Sequence, residues 1–523
     1  MTPPEDRPGV TGAPGTPGAD GTPMVVDVVV VGAGPVGENL GQYATEGTDL
    51  SAVLVEAELV GGECSYYACM PSKALLRPAE VAQTAAHLPG VRDAALDTAA
   101  VLGRRDTWVN GYADDSQVDW ATSAGLEVLR GRARLIGERL VQVSGTDGDR
   151  LVEARRAVVL ATGSEPVVPE MYADAAPWGS RDATGVVEVP ERLAIIGGGV
   201  VACEAATWLA ALGAHVTLLV RGDRVLPRVE PFASERVAEA LGKVGVQVRV
   251  GAEVTACRRD RVAHTGLGRL HGGPVLLELT GESGETLEVD ELLVATGRRP
   301  RLSDVGLDSV GLDASAVLEG RTPDWLVAVG DASGEAPLTH CGKYRARVLG
   351  EEIAAGTLGA APAVEADTED DVETPALAST PLPAAVPVPQ VIFTDPQVGS
   401  VGMTESEARA AGHRVVTSQA PWTAAAGAAL LRDDVEGGAM LVVDEDSHLL
   451  VGATFVGPGA GELVHAATVA IVGAVPVHVL RHAVPSYPTA SELWLRLIED
   501  LPPRFRRPPA GQEGGLVPGG SRI

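Results

Sequence analysis

Cysteine is scarce in this sequence: five residues in 523 are too few for the disulfide framework of a small secreted scaffold. Basic residues are also outnumbered, because 41 lysines and arginines face 70 aspartates and glutamates, a formal net charge of −29. A surface of that sign repels the phosphates of nucleic acids and anionic lipids alike. We therefore expect no nucleic-acid partner, and we expect any disulfide that matters to be a reactive one.

Long hydrophobic runs are absent as well. The longest, residues 25–37, is interrupted by Asp27 and three glycines, so no transmembrane helix is expected. The first 23 residues contain neither the basic segment nor the apolar core of an export signal. These features predict a cytoplasmic protein without membrane association.

The chain repeats its own opening. A valine-rich strand, the turn GAGPVG and a helical stretch begin at Val25, and a further strand ends at Glu56; a second unit of this kind begins near Leu193 and runs to Val220. The repeat predicts two dinucleotide-binding domains of common α/β architecture. Low-complexity composition predicts a disordered tail over 1–23, a flexible acidic, proline- and alanine-rich insertion over 357–388, and a second disordered tail over 503–523.

The first glycine-rich turn has the spacing of a dinucleotide site. Gly32, Gly34 and Gly37 follow the strand and open the helix, and Glu56 closes the next strand. Glycines let the backbone approach a pyrophosphate at a helix N-terminus, and the carboxylate accepts hydrogen bonds from ribose hydroxyls. A simple tight turn is the alternative interpretation, because glycine is abundant in this chain.

The second copy differs at two positions. Gly197 and Gly199 are followed by Ala202, which still permits close helix packing. No acid closes the next strand; Arg221 stands there, and a cation suits a 2′-phosphate, so NADPH is favoured over NADH, with Arg224 or Arg228 as possible helpers. The alternative is that Arg221 is an ordinary solvated surface residue.

The segment GGECSYYACMPSK holds Cys64 and Cys69 at the head of a predicted helix. A pair at this spacing could be structural or half of a metal site. No second pair with metal-ligand spacing occurs, so zinc is not expected and no metal site is predicted. A thiol at a helix start has its thiolate stabilised by the helix dipole, as disulfide exchange requires.

In these segments the chain resembles the pyridine nucleotide-disulfide oxidoreductases, the family of dihydrolipoamide dehydrogenase, glutathione reductase and mercuric reductase. The resemblance extends from Val25 to about Ile498. It rests on motifs in the family's order: GAGPVG, GGECSYYACMPSK, ATGS, GGGVVACE, VATGRRP, AVGDAS, VPQVIFTDPQVGSVGMTE and PTASE.

The resemblance implies a fold of two Rossmann-like domains, for FAD and NAD(P), and a C-terminal α+β dimerisation domain. The implied boundaries are 24–165 and 291–356 for the two parts of the FAD domain, 166–290 for the NAD(P) domain and 389–502 for the dimerisation domain. It also implies a homodimer whose active site is shared between subunits.

Site residues follow from the same resemblance. Cys69 would be the thiol facing the flavin and Cys64 the one that meets substrate, with Lys73 and Glu204 as an ion pair beside the flavin. FAD would be bound by Gly32, Gly34, Gly37, Glu56, Thr162, Gly163 and Asp331. The nicotinamide cofactor would lie along Gly197–Glu204, near Gly297. Cys203, Cys257 and Cys341 match no redox position.

One segment departs from the family. Thiol-processing members carry a histidine, Pro-Thr and a glutamate as the acid/base from the partner subunit; here Glu492 is present, but Tyr487 replaces the histidine. A neutral phenol is a poor base, so reduction of an acceptor is favoured over oxidation of a dithiol. His482 could substitute as a base, although a histidine of the interface or core is the simpler interpretation. Mercuric reductase also has a tyrosine here, but the C-terminal cysteine pair that delivers mercury is missing.

The sequence therefore predicts an enzyme that passes electrons from NADPH through FAD and the Cys64–Cys69 pair to a small disulfide or thiophilic acceptor. Four alternatives stay open: a dihydrolipoamide dehydrogenase, a quinone-reducing diaphorase acting directly from the flavin, a mercuric reductase-like enzyme, and a non-enzymatic flavin redox sensor.

Overall fold

Two structural units, each built from separate stretches of chain, make up the computed structural model, which describes residues 22–92, 94–146, 148–280, 285–358 and 386–508. The first unit contains the described residues up to Tyr66, Asn110–Glu165 and the chain from Arg298 to residue 358. The second contains Tyr67–Val109, Pro166–Gly297 and residues 386–508.

The strands are β1 (Met24–Val31), β2 (Ala52–Glu56), β3 (Glu127–Arg130), β4 (Arg132–Gly137), β5 (Leu140–Gly145), β6 (Gly148–Leu160), β7 (Ser164–Pro166), β8 (Arg192–Ile196), β9 (His215–Val220), β10 (Gln247–Val250), β11 (Val254–Arg259), β12 (Val275–Leu279), β13 (Thr286–Val289), β14 (Glu291–Val294), β15 (Arg298–Pro300), β16 (Leu326–Ala328), β17 (Gln390–Ile392), β18 (Gln397–Gly402), β19 (Val415–Pro421), β20 (Gly438–Asp444) and β21 (Leu450–Gly457).

The helices are α1 (Pro35–Thr45), α2 (Gly62–Tyr66), α3 (Cys69–Ala86), α4 (Thr98–Trp108), α5 (Asp115–Ser123), α6 (Glu170–Ala173), α7 (Ser180–Thr184), α8 (Val200–Ala211), α9 (Pro231–Lys243), α10 (Ala314–Leu318), α11 (Thr339–Ala355), α12 (Glu405–Ala410), α13 (Ala426–Ala429), α14 (Ala460–Val472), α15 (Val477–Leu480) and α16 (Glu492–Asp500). Short 3₁₀ helices lie at Asn110–Tyr112, Leu307–Val310, Gly330–Ser333, Trp422–Ala424 and Pro503–Arg506.

A mainly parallel sheet organises the first unit, in the order β3-β2-β1-β6-β5-β4, with β16 paired to β6. Strand β1 is nearly continuous in valine because both of its faces are buried. Val28 and Val30 join one hydrophobic cluster with the α1 residue Leu40, whereas Val29 and Val31 join a second cluster on the other face. The sheet thus fixes the carboxyl end of β1, where the first glycine-rich turn begins.

The second unit contains a smaller sheet with the same parallel arrangement, β10-β9-β8-β14. Its β8, β9 and α8 repeat the β1, β2 and α1 arrangement of the first unit. A three-stranded antiparallel sheet, β11-β12-β13, follows β10, and the C-terminal block contains the five-stranded sheet β17-β18-β21-β20-β19. The predicted α/β class with two dinucleotide-type sheets and a C-terminal α+β block is confirmed.

Two boundaries differ from the sequence prediction. Strand β14 begins at Glu291 and pairs in parallel with β8, so it completes the second sheet rather than resuming the FAD domain at 291. The chain also stays ordered past Pro502, because the 3₁₀ helix Pro503–Arg506 buries Phe505 completely. The rest of the predicted C-terminal tail (509–523), most of the N-terminal tail (1–21) and most of the insertion (359–385) lie outside the described residues.

None of the helices in the described ranges combines the length and the hydrophobicity that a membrane-spanning segment requires.

Candidate active site

The first glycine-rich turn is closed by contacts that only glycine permits. Gly32 has a positive φ of 103°, and a Cβ there would lie 2.4 Å from the carbonyl oxygen of Ala161. A Cβ on Gly37 would lie 2.0 Å from the oxygen of Gly32. The carboxylate of Glu56 accepts a hydrogen bond of 2.8 Å from the backbone N–H of Ala33. The predicted turn residues and their acid are therefore brought together.

Two buried acids lie at this turn. Burial raises the pKa of Glu56, although its two bonds to backbone N–H groups oppose the shift. Burial raises the pKa of Glu38, in the first turn of α1, to about 7, against the opposing charge of Lys343. One oxygen of Glu38 is buried and has no hydrogen-bond partner among the described residues.

These features fit an FAD molecule. The N-terminus of α1 has no side-chain cap, which leaves backbone N–H groups for a pyrophosphate, and Glu56 is placed to bind ribose hydroxyls. Gly34 adds room, because the nearest atom that its Cβ would meet is 3.9 Å away, on Gly62.

The other predicted FAD residues belong to the same unit. The hydroxyl of Thr162 donates to the oxygen of Arg301 over 2.7 Å, and the oxygen of Gly163 accepts from the N–H of Arg301. Asp331 follows β16 and accepts a hydrogen bond from the Ser164 hydroxyl. Thr162, Gly163 and Asp331 thus follow the carboxyl ends of two neighbouring strands, β6 and β16.

The second glycine-rich turn repeats the first. Gly197 has a φ of 128°, and a Cβ there would lie 2.4 Å from the oxygen of Ala295. A Cβ on Gly199 would meet nothing within 4 Å, which leaves the open N-terminus of α8 accessible to a nucleotide phosphate. Ala202 is fully buried, and Arg221 is exposed directly after β9. Gly297 follows β14, and its oxygen accepts from the N–H of Val167.

Lys73 and Glu204 form the predicted ion pair within the second unit. The Lys73 ammonium lies 2.8 Å from Glu204 Oε2, and the other carboxylate oxygen accepts from the N–H of Phe393 over 2.9 Å. The Phe393 ring adds a cation–π contact, 4.6 Å from Lys73 Nζ to the ring centroid. The Glu204 side chain is buried, at 5% exposure, whereas that of Lys73 is 36% exposed, so the pair presents a fixed ammonium at an accessible surface.

The five cysteines differ in their surroundings. Cys64 and Cys69 are partly accessible; Cys69 is the first residue of the 18-residue helix α3, and Cys64 Sγ lies 3.4 Å from the hydroxyl of Thr339. Burial raises the pKa of Cys203 to about 12 and of Cys257 to about 11, and it also raises the pKa of Cys341. Those three thiols therefore stay protonated, unlike a redox cysteine.

The PTASE segment separates its two predicted residues. Glu492 begins α16, is 6% exposed and accepts a bond of 3.4 Å from the N–H of Gly427. Tyr487 is 77% exposed, and His482 is exposed as well. No hydrogen bond joins Tyr487 to Glu492 in the described part of the chain, so Glu492 has a structural partner and Tyr487 is left in solvent.

Comparison with known proteins identifies the family. The model of the pyridine nucleotide-disulphide oxidoreductase family matches residues 26–319, and that of its dimerisation domain matches residues 388–497. The chain belongs to this family. A dihydrolipoyl dehydrogenase of Thermus scotoductus is 32% identical over 91% of this chain and 97% of that protein. A mercuric reductase of Staphylococcus aureus is 29% identical over 89% of this chain and 80% of that protein.

Solved structures share the fold. The HOCl-induced flavoprotein disulfide reductase RclA of Escherichia coli aligns with a TM-score of 0.72 and 22% identity, over 90% of this chain and 99% of that one. LpdA of Mycobacterium tuberculosis aligns with a TM-score of 0.72 and 22% identity, over 91% and 99%. The predicted family is confirmed: this oxidoreductase is a member of a family that uses FAD and a pyridine nucleotide and forms homodimers.

Several polar residues near Cys64 were not predicted from the sequence. Thr339 contacts Cys64 from α11, and Arg298 donates both to Ser164 and to Glu63, the neighbour of Cys64. These partners lie more than 130 residues apart in the chain, so no local spacing predicts them. Within the described ranges, no group of three or more His, Cys, Asp or Glu side chains is arranged to hold a metal ion.

Proposed function

We propose that this oxidoreductase is a homodimer that passes electrons from NADPH, through bound FAD and a Cys64–Cys69 disulfide, to a small disulfide or thiophilic acceptor. The observation that carries the proposal is the setting of Cys69. Its partly accessible thiol begins α3, whose dipole favours a thiolate, and Lys73 lies one turn further along the same helix.

The chemistry that FAD supplies when bound is two-electron transfer between a nicotinamide and a disulfide. The role of Lys73 and Glu204 is electrostatic. Glu204 holds the ammonium at one point, because both of its oxygens are occupied, by Lys73 and by the N–H of Phe393. A fixed ammonium stabilises negative charge that develops beside it without reorganisation.

The exchange with substrate uses only the two thiols. The Cys64 thiolate attacks one sulfur of the acceptor disulfide, which releases one substrate thiol and forms a mixed disulfide. Cys69 then attacks Cys64 Sγ, which releases the second substrate thiol and forms the Cys64–Cys69 disulfide. The two protons carried by the released thiols come from the dithiol. Two electrons and one proton from NADPH, with one proton from solvent, would restore the dithiol.

Tyr487 favours reduction of an acceptor over oxidation of a dithiol. A phenol is a poor base at neutral pH, so abstraction of a proton from a dithiol substrate is slow. Reduction of an acceptor by a preformed thiolate does not need that base. We therefore favour reduction as the physiological direction.

Arg221 favours NADPH over NADH. The residue is exposed directly after β9, where an acid would bind a ribose 2′-hydroxyl, and a guanidinium there pairs with a 2′-phosphate.

The proposed dimer surface is the apolar face of the C-terminal block. Val484 is 85% exposed, Tyr487 77% and Leu430 71%, and residues of this kind are buried in obligate interfaces. The dimerisation-domain match covers all three positions. In the proposed homodimer Tyr487 contributes to the partner's active site, as the family resemblance implies.

The deciding experiment is anaerobic reduction by NADPH, monitored by absorbance, followed by steady-state turnover with disulfides, dihydrolipoamide, quinones and Hg(II). Cys69→Ser is expected to abolish the long-wavelength charge-transfer band, and Cys64→Ala is expected to abolish disulfide reduction while leaving the band. Cys257→Ala is the matched control and should behave as the wild type. An unchanged band in Cys69→Ser contradicts the assignment, and full activity of Cys64→Ala with quinones alone indicates a diaphorase.

The direction of reaction has its own test. Tyr487→His restores a base, and we expect dihydrolipoamide oxidation to rise by about 10²-fold, the usual contribution of a general base. Tyr487→Phe is the control. If both variants oxidise dihydrolipoamide as the wild type does, Tyr487 does not limit that direction.

A further inference from the structure

The segment between the two cysteines contains two adjacent tyrosines with different surroundings. Tyr66 is buried, and its hydroxyl lies 3.2 Å from Gln117 Oε1; burial raises its pKa to about 12. Tyr67 belongs to the second unit and is partly exposed, two residues before Cys69. Tyr67 takes no part in the proposed electron transfer.

Two residues of α7 hold Tyr67. The Thr184 hydroxyl lies 2.8 Å from the carbonyl oxygen of Tyr67, nearer than either of the two carbonyls of its own helix within reach, at 3.2 Å. The guanidinium of Arg181 lies over the Tyr67 ring, 4.4 Å from the centroid. Thr184 is 4% exposed, so its hydrogen bond is shielded from competing water. One contact therefore fixes the backbone of Tyr67 and the other fixes its side chain.

Helix α7 is itself held firmly. Arg105, which is 2% exposed, donates from its guanidinium to the oxygens of Thr184 and Val186, just where α7 ends. The indole N–H of Trp208 donates to the oxygen of Ala183 over 3.2 Å. Because α7 is short, these buried donors, rather than its own hydrogen bonds, keep it in one position.

We propose that Thr184 and Arg181 are positioning residues that set the dithiol–disulfide equilibrium of the Cys64–Cys69 pair by clamping Tyr67. This inference rests on the proposed function, in which that pair is redox-active. A disulfide restrains the short chain between its cysteines by itself, whereas the dithiol form leaves that chain free. The clamp removes this freedom from the dithiol form, so it disfavours reduction; its loss shifts the equilibrium toward the dithiol.

The test is a redox titration of the holoenzyme in glutathione buffers of graded GSH to GSSG ratio. Free thiols are trapped by alkylation, and the Cys64 and Cys69 peptides are quantified by mass spectrometry, so the other three cysteines do not interfere. Thr184→Val and Arg181→Gln are each expected to shift the equilibrium about fivefold toward the dithiol, as the loss of one hydrogen bond or cation–π contact implies. The double variant is expected to shift it at least tenfold, which is about 30 mV for a two-electron couple.

Matched variants separate the clamp from general damage. Thr184→Ser keeps the hydroxyl that bonds the Tyr67 carbonyl, so it should titrate as the wild type. Arg269→Gln removes another arginine of the same unit, which pairs with Glu188, and should also be neutral. Should Thr184→Val fail to fold, Arg181→Gln and Tyr67→Leu carry the test.

The outcomes distinguish this inference from the proposed function. The clamp alone is overturned if the wild-type pair titrates but Thr184→Val and Arg181→Gln leave its midpoint unchanged. A shift of the midpoint toward the disulfide in these variants overturns it as well. A wild-type pair that stays as thiols at every glutathione ratio overturns the proposed function and the clamp together.

Discussion

The two glycine-rich turns share their backbone geometry but not their chemistry. In both, a Cβ on the first glycine would lie 2.4 Å from a carbonyl oxygen, of Ala161 in one turn and of Ala295 in the other. Each of these alanines begins an Ala-Thr-Gly sequence that follows the next parallel strand of its sheet. The steric requirement of the turn is therefore the same in both copies, whereas the residues proposed to contact a ligand differ.

The divergence is found at corresponding positions. Gly37 corresponds to Ala202 and Glu38 to Cys203, and the strand that follows ends in Glu56 in the first copy and is followed by Arg221 in the second. The first turn is closed on itself by Glu56, whereas the second leaves an exposed cation. One architecture thus provides a closed site that suits a resident cofactor and an open site that suits an exchanging one.

The largest effect is expected where the copies differ by one methyl group. In Gly37→Ala the new Cβ would collide with the oxygen of Gly32, so we expect a loss of about 3 kcal/mol or more in the free energy of unfolding and loss of bound flavin. The reverse change, Ala202→Gly, is expected to cost only about 1 kcal/mol, the helix penalty of glycine. Urea unfolding measures the stability of each variant, and flavin content after gel filtration measures the bound cofactor. Equal losses in the two variants would contradict the steric requirement at Gly37.

The next effect concerns pH. Because the native pKa of Glu38 is raised from 4.5 to about 7, the folded state binds more protons than the unfolded state between these values, and stability falls as pH rises through that window. The expected decrease is about 2 to 3 kcal/mol, and Glu38→Gln should remove it. Cys203, at the corresponding position, stays neutral throughout, so Cys203→Ala should keep the wild-type pH dependence. Free energies of unfolding measured at pH 5 and pH 8 test this expectation. If Glu38→Gln keeps the wild-type decrease in stability, the assignment of that decrease to Glu38 is wrong.

A smaller effect is expected from the acid that closes the first turn. Glu56→Gln removes the carboxylate from the N–H of Ala33 and, in the proposed FAD site, from the ribose, so we expect FAD affinity to fall about 30-fold, the value of a charge-assisted hydrogen bond. Flavin fluorescence during titration of the apoprotein measures the affinity. Glu58→Gln, on the same loop but exposed, is the control.

The smallest effect concerns the second turn. Arg221→Ala is expected to raise KM for NADPH about tenfold and to leave KM for NADH unchanged, because only the proposed contact with the 2′-phosphate is lost. Raised salt should reduce the difference, since the pair is exposed. Arg236→Ala, on the surface of α9, is the control. Equal changes in KM for NADPH and NADH would mean that Arg221 does not contact the 2′-phosphate.

The sequence predicted those parts of the molecule that are encoded locally. The turns, their acid and the cysteine pair depend on spacings of a few residues, so the pattern of glycines and strands was sufficient to place Gly32, Gly197 and Glu56. The Lys73–Glu204 pair was expected from the family resemblance alone, because 131 residues separate the two and no period links them.

The remaining features depend on tertiary contacts. Strand β14 was assigned to the wrong sheet because an apolar strand before a glycine does not indicate its partner; the pairing with β8 decides it. The Thr184–Tyr67 hydrogen bond spans 117 residues, and a threonine in a short helix carries no signal of it. Phe505 lies in a proline-rich stretch that composition marked as a tail, although one aromatic ring was enough to anchor it.

The second donor to Glu204 comes from far along the chain. Phe393 is synthesised 189 residues after Glu204, so a nascent chain carries a half-satisfied carboxylate until the C-terminal block has emerged and folded. The position of the Lys73 ammonium is consequently fixed only after the C-terminal block has folded. A product that ends before Phe393 would contain both cysteines and the Lys73–Glu204 pair but would lack the backbone donor that holds the second oxygen of Glu204.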